Sequence, residues 1–182
     1  GAGDVNGDGF DDVIVGAPMA AHNRRVAGPS YVVFGKASGF DAQMNLATLD
    51  GYSGFRLDGE NIYDNSGSSV SGAGDVNGDG YGDVIVGAWA ADHSGGMSGS
   101  SYVVFGKASG FDAQMDLATL DGHDGFRLDG ESNYDFLGLS VGDAGDVNGD
   151  GFDDVIVGAE RANSNGKYSG SSYVVFGKAL GF

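Results

Sequence analysis

The sequence predicts an all-β fold, a partial β-propeller of about three four-stranded antiparallel blades. Three observations carry that expectation. First, the chain repeats itself with a period of 71 residues: Asp4, Asp75 and Asp146 keep it, as do Tyr31, Tyr102 and Tyr173, with no insertion or deletion. Second, segment 31–60 differs from 102–131 at only three places, Asn45/Asp116, Tyr52/His123 and Ser53/Asp124. Third, apolar residues fall in short β-branched and aromatic runs bounded by glycine, the pattern of strands rather than helices. A unit repeated at a fixed period buries its faces on its neighbours. A parallel β-roll would bring an acidic loop every nine residues or so, not once per unit. An antiparallel sandwich would not need so strict a period.

Four strands are expected per unit. Strand A is Ser68-Ser69-Val70-Ser71-Gly72-Ala73, with Leu139-Ser140-Val141 in the third copy, small enough for a crowded inner position. Strand B is Asp83–Ala88 and strand C is Ser101–Gly106. Both are apolar at nearly every position, which suits burial on two faces. Strand D, Gly125–Gly130, is mixed and suits an outer, half-exposed edge. Between C and D, the spacing of Met115, Leu117 and Leu120 allows a short helical turn. The expected boundaries are blade 1 at 1–63, lacking most of its inner strand, blade 2 at 64–134, complete, and blade 3 at 135–182, lacking its outer strand.

Composition narrows the function. Of 182 residues, 36 are glycine and 41% are apolar, so the chain is expected to fold. Its formal charge of −17 argues against nucleic acid and anionic membrane surfaces as partners. No cysteine is present, so disulfides, thiol chemistry and cysteine-ligated zinc are excluded. No apolar run approaches a membrane span. Gly1-Ala2-Gly3 is neither an initiator methionine nor a signal peptide, and a piece of a longer protein is expected.

The chemistry lies in the loop joining A to B. Asp4-Val5-Asn6-Gly7-Asp8-Gly9-Phe10-Asp11-Asp12 recurs as 75–83 and 146–154, each copy running into Val-Ile-Val-Gly-Ala. Alternate acidic and amide side chains gather oxygen ligands around one point, a demand made by a hard cation, above all Ca²⁺. Counted from the first Asp, positions 1, 3, 5 and 9 are Asp4, Asn6, Asp8 and Asp12, with the Phe10 carbonyl at position 7. The second set is Asp75, Asn77, Asp79, Tyr81 (carbonyl) and Asp83, and the third is Asp146, Asn148, Asp150, Phe152 (carbonyl) and Asp154. Glycine at position 6 suits a sharp turn. An EF-hand would need a carboxylate at position 12 and a helix beyond it; here Val15, Val86 and Val157 stand there and a strand follows. A solvated hairpin turn is the alternative reading of any one copy. Three coincident copies favour three Ca²⁺ sites, and Mg²⁺ suits so many protein oxygens less well.

These residues carry a family resemblance. Gly72-Ala73-Gly74-Asp75-Val76-Asn77-Gly78-Asp79-Gly80 through Val84-Ile85-Val86-Gly87-Ala88 resembles the FG-GAP repeat of integrin α-subunit propellers and their bacterial relatives. The first copy keeps Gly16-Ala17-Pro18, and the third keeps Phe136-Leu137-Gly138 where the family has Phe-Gly. The second departs, with Asn65-Ser66-Gly67 there. The resemblance implies a ring of about seven blades, Ca²⁺ bound by the loop positions named above, and an extracellular or cell-surface setting.

Connections in an up-and-down blade alternate between two faces. The A–B and C–D loops share one face and are almost invariant between copies; the B–C and D–A loops share the other and diverge. The B–C loops carry His22, Arg24 and Arg25, then Trp89, Asp92, His93 and Met97, then Arg161, Asn163, Lys167 and Tyr168. A protein or glycan ligand is expected on that divergent face, which integrin-like propellers also use. Adhesion or protein interaction is the first functional reading, a lectin-like propeller the second, and an accessory domain of a secreted enzyme a more remote third. No catalytic site is expected: His22, His93 and His123 suit exposed positions, and no Gly-x-Ser-x-Gly elbow exists. Trp89 could stack on a sugar. Arg56/Arg127 and Asp58/Asp129 suit edge-strand charges. Open blade edges predict self-association or membership of a larger propeller.

Overall fold

The computed structural model describes residues 1–20, 27–108 and 110–179. The strands form three sheets. In the first, β1 (Val13–Gly16), β2 (Ser30–Val33) and β3 (Gly54–Asp58) run antiparallel in sequence order. A further strand, β7 (Gln114–Asp116), joins this sheet from the second repeat. The second sheet holds β4 (Ser69–Gly74), β5 (Asp83–Ala88), β6 (Ser100–Val104) and β8 (Gly125–Asp129). The third holds β9 (Leu137–Gly145), β10 (Asp154–Ala159) and β11 (Ser171–Val175). No described helix is long and apolar enough to cross a membrane. This is the partial propeller that the period and the strand pattern predict.

Strands B and C of the middle sheet are buried at every position. Their Val and Ile side chains point alternately to the two faces, and each face meets a neighbouring sheet. Two cores result. One joins Val32, Phe34 and Phe55 of the first sheet to Val84, Val86 and Val104 of the second. The other joins Ile85, Val103 and Phe105 of the second sheet to Val155 and Val157 of the third. Strand A is small where sheets converge: Ser69, Gly72, Ala73 and Gly74 line β4, and a bulge lies between Gly72 and Gly74.

Two expectations change. The segment between C and D holds a strand before its short turn: β7 pairs in parallel with β3, Leu57 opposite Met115, and only Leu117–Thr119 forms a 3-10 turn, capped by Asp116. Strand D of the first sheet is therefore not a half-exposed edge. Phe55 and Leu57 are fully buried, because Phe111 stacks on Phe55 at 4.5 Å between ring centroids and β7 covers the strand's outer side. Strand D of the second sheet has no such cover among the described residues: Gly125 and Phe126 are buried, but Arg127 and Asp129 are exposed and Leu128 is half-buried.

Candidate metal centre and the opposite loop face

Each acidic loop closes on itself in the same way. The Asp8 N–H donates to Asp4 Oδ1 and to Asn6 Oδ1, both at 3.0 Å, and the Gly9 N–H donates to Asp4 Oδ2 at 2.9 Å. Asp8 Oδ1 accepts from the Phe10 N–H, and Asn6 Nδ2 donates to Asp8 Oδ2. Asp75, Asn77 and Asp79 repeat these bonds, as do Asp146, Asn148 and Asp150. Positions 1, 3 and 5 are thus brought together by backbone donors on one exposed turn. Gly7 and Gly9 both have positive φ, as do their equivalents in the other loops. Position 4 therefore needs glycine as much as position 6 does, which spacing alone did not indicate.

Position 9 behaves differently. Asp12, Asp83 and Asp154 are buried at 0–1% exposure. Each holds two backbone N–H groups, one at the loop's own second residue and one just beyond strand C: Val5 and Gly35, Val76 and Gly106, Val147 and Gly177. These carboxylates bolt the loop to the end of strand C. Burial pushes the Asp83 carboxyl up to about 7 in spite of its two donors, and the charges of Asp79 and Asp75 push the same way. Asp12 is raised by the same causes. In the third loop, backbone N–H groups led by Gly151 hold Asp146 below the usual carboxylate range.

No group of three or more Asp, Glu, His or Cys side chains among the described residues stands in metal-ligating geometry. The donor set nonetheless fits a hard cation. Every donor is an oxygen, two carboxylates and an amide share one turn, and a buried third carboxylate feels their charge. A carboxylate oxygen bonded to one N–H retains a lone pair for a cation. A bound Ca²⁺ would supply charge neutralisation and nothing reactive.

The loops also interlock. A β-carbon at Gly7 would overlap the ring of Tyr81, and one at Gly78 the ring of Phe152. The aromatic at position 7 of the second and third loops thus lies on the position-4 glycine of the loop before it. Backbone bonds follow: Gly82 N–H to the Asp4 carbonyl and Asp153 N–H to the Asp75 carbonyl.

At the other end of the sheets, the B–C and D–A loops bond to each other. Ala90 N–H donates to the Asp64 carbonyl, Arg161 N–H to that of Asp135, and Tyr134 N–H to that of Gly96. Asp64 and Asp135 are buried and accept from the N–H groups of Asn61 and Ser132, anchors that the sequence pattern did not single out. Trp89 meets Phe136 edge-on at 5.1 Å, and Arg161 lies over the Phe136 and Tyr168 rings. His93 is not an exposed loop residue. Its Nε2 is 3.0 Å from Glu60 Oε1, which comes from the preceding unit, and its Nδ1 is 3.2 Å from Ser100 Oγ. Ser100 is fully buried, so the trio is no accessible nucleophile. His123 is exposed, whereas His22, Arg24 and Arg25 lie outside the described residues. Arg56 and Arg127 pair with Asp58 and Asp129 on their own strands. All six non-glycine residues with positive φ among those described fall in these two loop types: Tyr63, Asn65, Met97, Tyr134, Phe136 and Tyr168.

A family model described as the FG-GAP repeat matches residues 1–33, 66–104 and 139–175, more than half of the chain. The chain belongs to the FG-GAP repeat family. Its relatives include Integrin alpha-4 of Xenopus laevis, 28% identical over 90% of this chain and 14% of that protein. Integrin alpha pat-2 of Caenorhabditis briggsae is 34% identical over 88% of this chain and 13% of its own length. Phosphatidylinositol-glycan-specific phospholipase D of Bos taurus is 32% identical over 93% of this chain and 20% of that protein. The chain thus spans about an eighth to a fifth of the length of these relatives, and one of them carries an enzyme's name. The matched FG-GAP segments contain the three acidic loops and strands B and C, and they leave out the C–D segment that forms β7.

Proposed function

We propose that this chain is a calcium-binding FG-GAP propeller module of an extracellular or cell-surface protein, acting in adhesion or protein interaction through the face opposite its acidic loops. The distribution of backbone strain carries this reading. Large side chains at positive φ cost stability and persist where surroundings over-determine them, typically at binding sites. Here they gather on the divergent face, where Tyr63, Met97, Tyr134 and Tyr168 are also among the exposed large hydrophobics. Integrin relatives support an interaction role, and no catalytic step belongs to the reading. In a lectin-like alternative Trp89 would stack on a sugar; its contact with Phe136 gives that no particular support.

The Ca²⁺ ligands in this reading are the loop positions 1, 3, 5, 7 and 9 named above, one ion per loop. Calcium titration by calorimetry tests it. Wild type binds with heat and Asp79→Ala loses one site; absence of binding at millimolar Ca²⁺ overturns the metal assignment. Ligand capture through the opposite face is checked separately, by comparing wild type with Tyr63→Ser and Tyr134→Ser on protein and glycan arrays. Unchanged capture by the double variant would remove that face from the proposal.

A further inference from the structure

The three acidic loops differ from one another only at positions 7 and 8, where Phe10 and Asp11, Tyr81 and Gly82, and Phe152 and Asp153 stand. In the second and third loops position 8 meets the loop before it. The Gly82 N–H donates to the Asp4 carbonyl at 2.9 Å, and the Asp153 N–H to the Asp75 carbonyl at 3.1 Å. Asp153 adds a bond that Gly82 has no side chain to make: its Oδ2 accepts from the Asp75 N–H at 2.8 Å. A β-carbon on Gly74 would overlap that carboxylate, so the glycine is what lets it reach Asp75. At the equivalent Gly3 the nearest atom is Gly82 Cα at 3.7 Å.

That extra bond falls on a candidate ligand. Asp75 Oδ1 and Oδ2 accept from the Asp79 and Gly80 N–H groups of their own loop, while Asp153 holds the Asp75 backbone at both its N–H and its carbonyl. Asp4 has the same two carboxylate bonds, but the second loop reaches it through its carbonyl. A ligand whose backbone is fixed before the cation arrives loses less freedom on binding. Groups that orient metal ligands in this way are commonly worth about 10–100-fold in metal affinity.

We propose that Asp153 of the third loop is a positioning residue for the second loop's cation: by accepting the Asp75 N–H it fixes the first ligand in advance and tightens the second site relative to the first, where Gly82 stands in its place. The inference rests on the calcium reading above. Asp153 acts through Asp75, so the two loops form a coupled pair, and the coupling is written in a single side chain.

Amide NMR on the full chain during a Ca²⁺ titration tests this. The Gly9, Gly80 and Gly151 N–H groups each donate to the first Asp of their own loop, so their resonances report the three sites separately. Asp153→Gly gives the third loop the residue that the second already has. It raises the Ca²⁺ midpoint of Gly80 about tenfold and leaves that of Gly9 in place. Asp153→Asn keeps an oxygen to accept the Asp75 N–H and restores the wild-type midpoint. In the reverse direction, a β-carbon on Gly82 would stand 3.2 Å from the Asp4 nitrogen, and Gly82→Asp lowers the Gly9 midpoint by about the same factor. A Gly80 midpoint unmoved by Asp153→Gly, or moved as far by Asp153→Asn, overturns the proposal. Should Asp153→Gly fail to fold, the Gly9 midpoint of Gly82→Asp decides alone, and no shift there overturns it. If no loop glycine responds to millimolar Ca²⁺, the calcium reading falls and the inference with it. If all three respond and Gly80 ignores residue 153, the reading stands and the inference alone is lost.

Discussion

Gly87 ends the Val-Ile-Val run of strand B where the next D–A connection passes closest. A β-carbon there would overlap the Gly138 carbonyl, whereas at the equivalent Gly158 the nearest atom is the Ser140 side chain at 3.5 Å. Gly87→Ala should therefore cost about 1–3 kcal/mol, and Gly158→Ala should stay within about 0.5 kcal/mol; paired urea melts check the contrast. Glu60 makes the other residue-scale point. Burial raises its pKa, but hydrogen bonds from His93 and Tyr102 and the nearby charges of His93 and Arg127 outweigh that and hold it below its ordinary value. A depressed carboxyl contributes stability above its unfolded pKa of about 4.3 and loses it as pH falls through the lower folded value. Glu60→Gln should thus be less stable than wild type by about 0.5–1 kcal/mol near neutral pH. The gap should close below about pH 4, and a set of melts from neutral to acid pH checks it.

At the scale of elements, the segment from Phe111 to Leu120 works as a strap. It leaves strand C of the second repeat, lays Phe111 on Phe55, adds β7 to β3 and ends by burying Leu117 at 2% exposure. Its first-repeat counterpart has nearly the same sequence, yet Phe40 is 51% exposed and Met44 40%, with the Lys36 ammonium over the Phe40 ring. Near-identical sequence with opposite burial gives a clean comparison. Phe111→Ala should cost about 3–5 kcal/mol through the cavity it leaves, and Phe40→Ala no more than about 0.5 kcal/mol. Chemical denaturation of the two variants measures both.

For the whole molecule, the proposed calcium sites in three acidic loops set in a row would make stability depend on calcium. Without a cation, positions 1, 5 and 9 of the first two loops hold carboxylates whose charges act on one another. Extracellular Ca²⁺ modules bind at about 10⁻⁴–10⁻³ M. At a tenfold excess over Kd, each occupied site adds about 1.4 kcal/mol, so three add about 4 kcal/mol. That is a large part of a usual net stability of about 5–15 kcal/mol. EGTA should therefore lower the melting temperature by several degrees or more, read by calorimetry; an unchanged melt would show the loops to be self-sufficient. Because Tyr81 and Phe152 of one loop cover Gly7 and Gly78 of another, loss of the ion at one site should loosen its neighbours as well.

The repeat, the four strands and the acidic loops were legible from sequence because each is local. A β-branched run bounded by glycine declares a strand, and alternate Asp and Asn declare a turn rich in oxygen. Position 4 of the loop was not legible, since the need for glycine at Gly7 comes partly from a tyrosine in another repeat. Nor was β7, because the spacing of Met115, Leu117 and Leu120 suits a helical turn until the edge of β3 offers hydrogen bonds. His93 was misjudged as exposed for the same reason: the Glu60 that engages it lies 33 residues earlier in the chain. By itself, then, the sequence determined the period, the strands and the loop chemistry, all products of near neighbours. Only the tertiary structure decided which of two nearly identical straps is buried and where position 9 of the loop points. Those outcomes depend on whether a neighbouring sheet is present, and one unit's residues do not encode that.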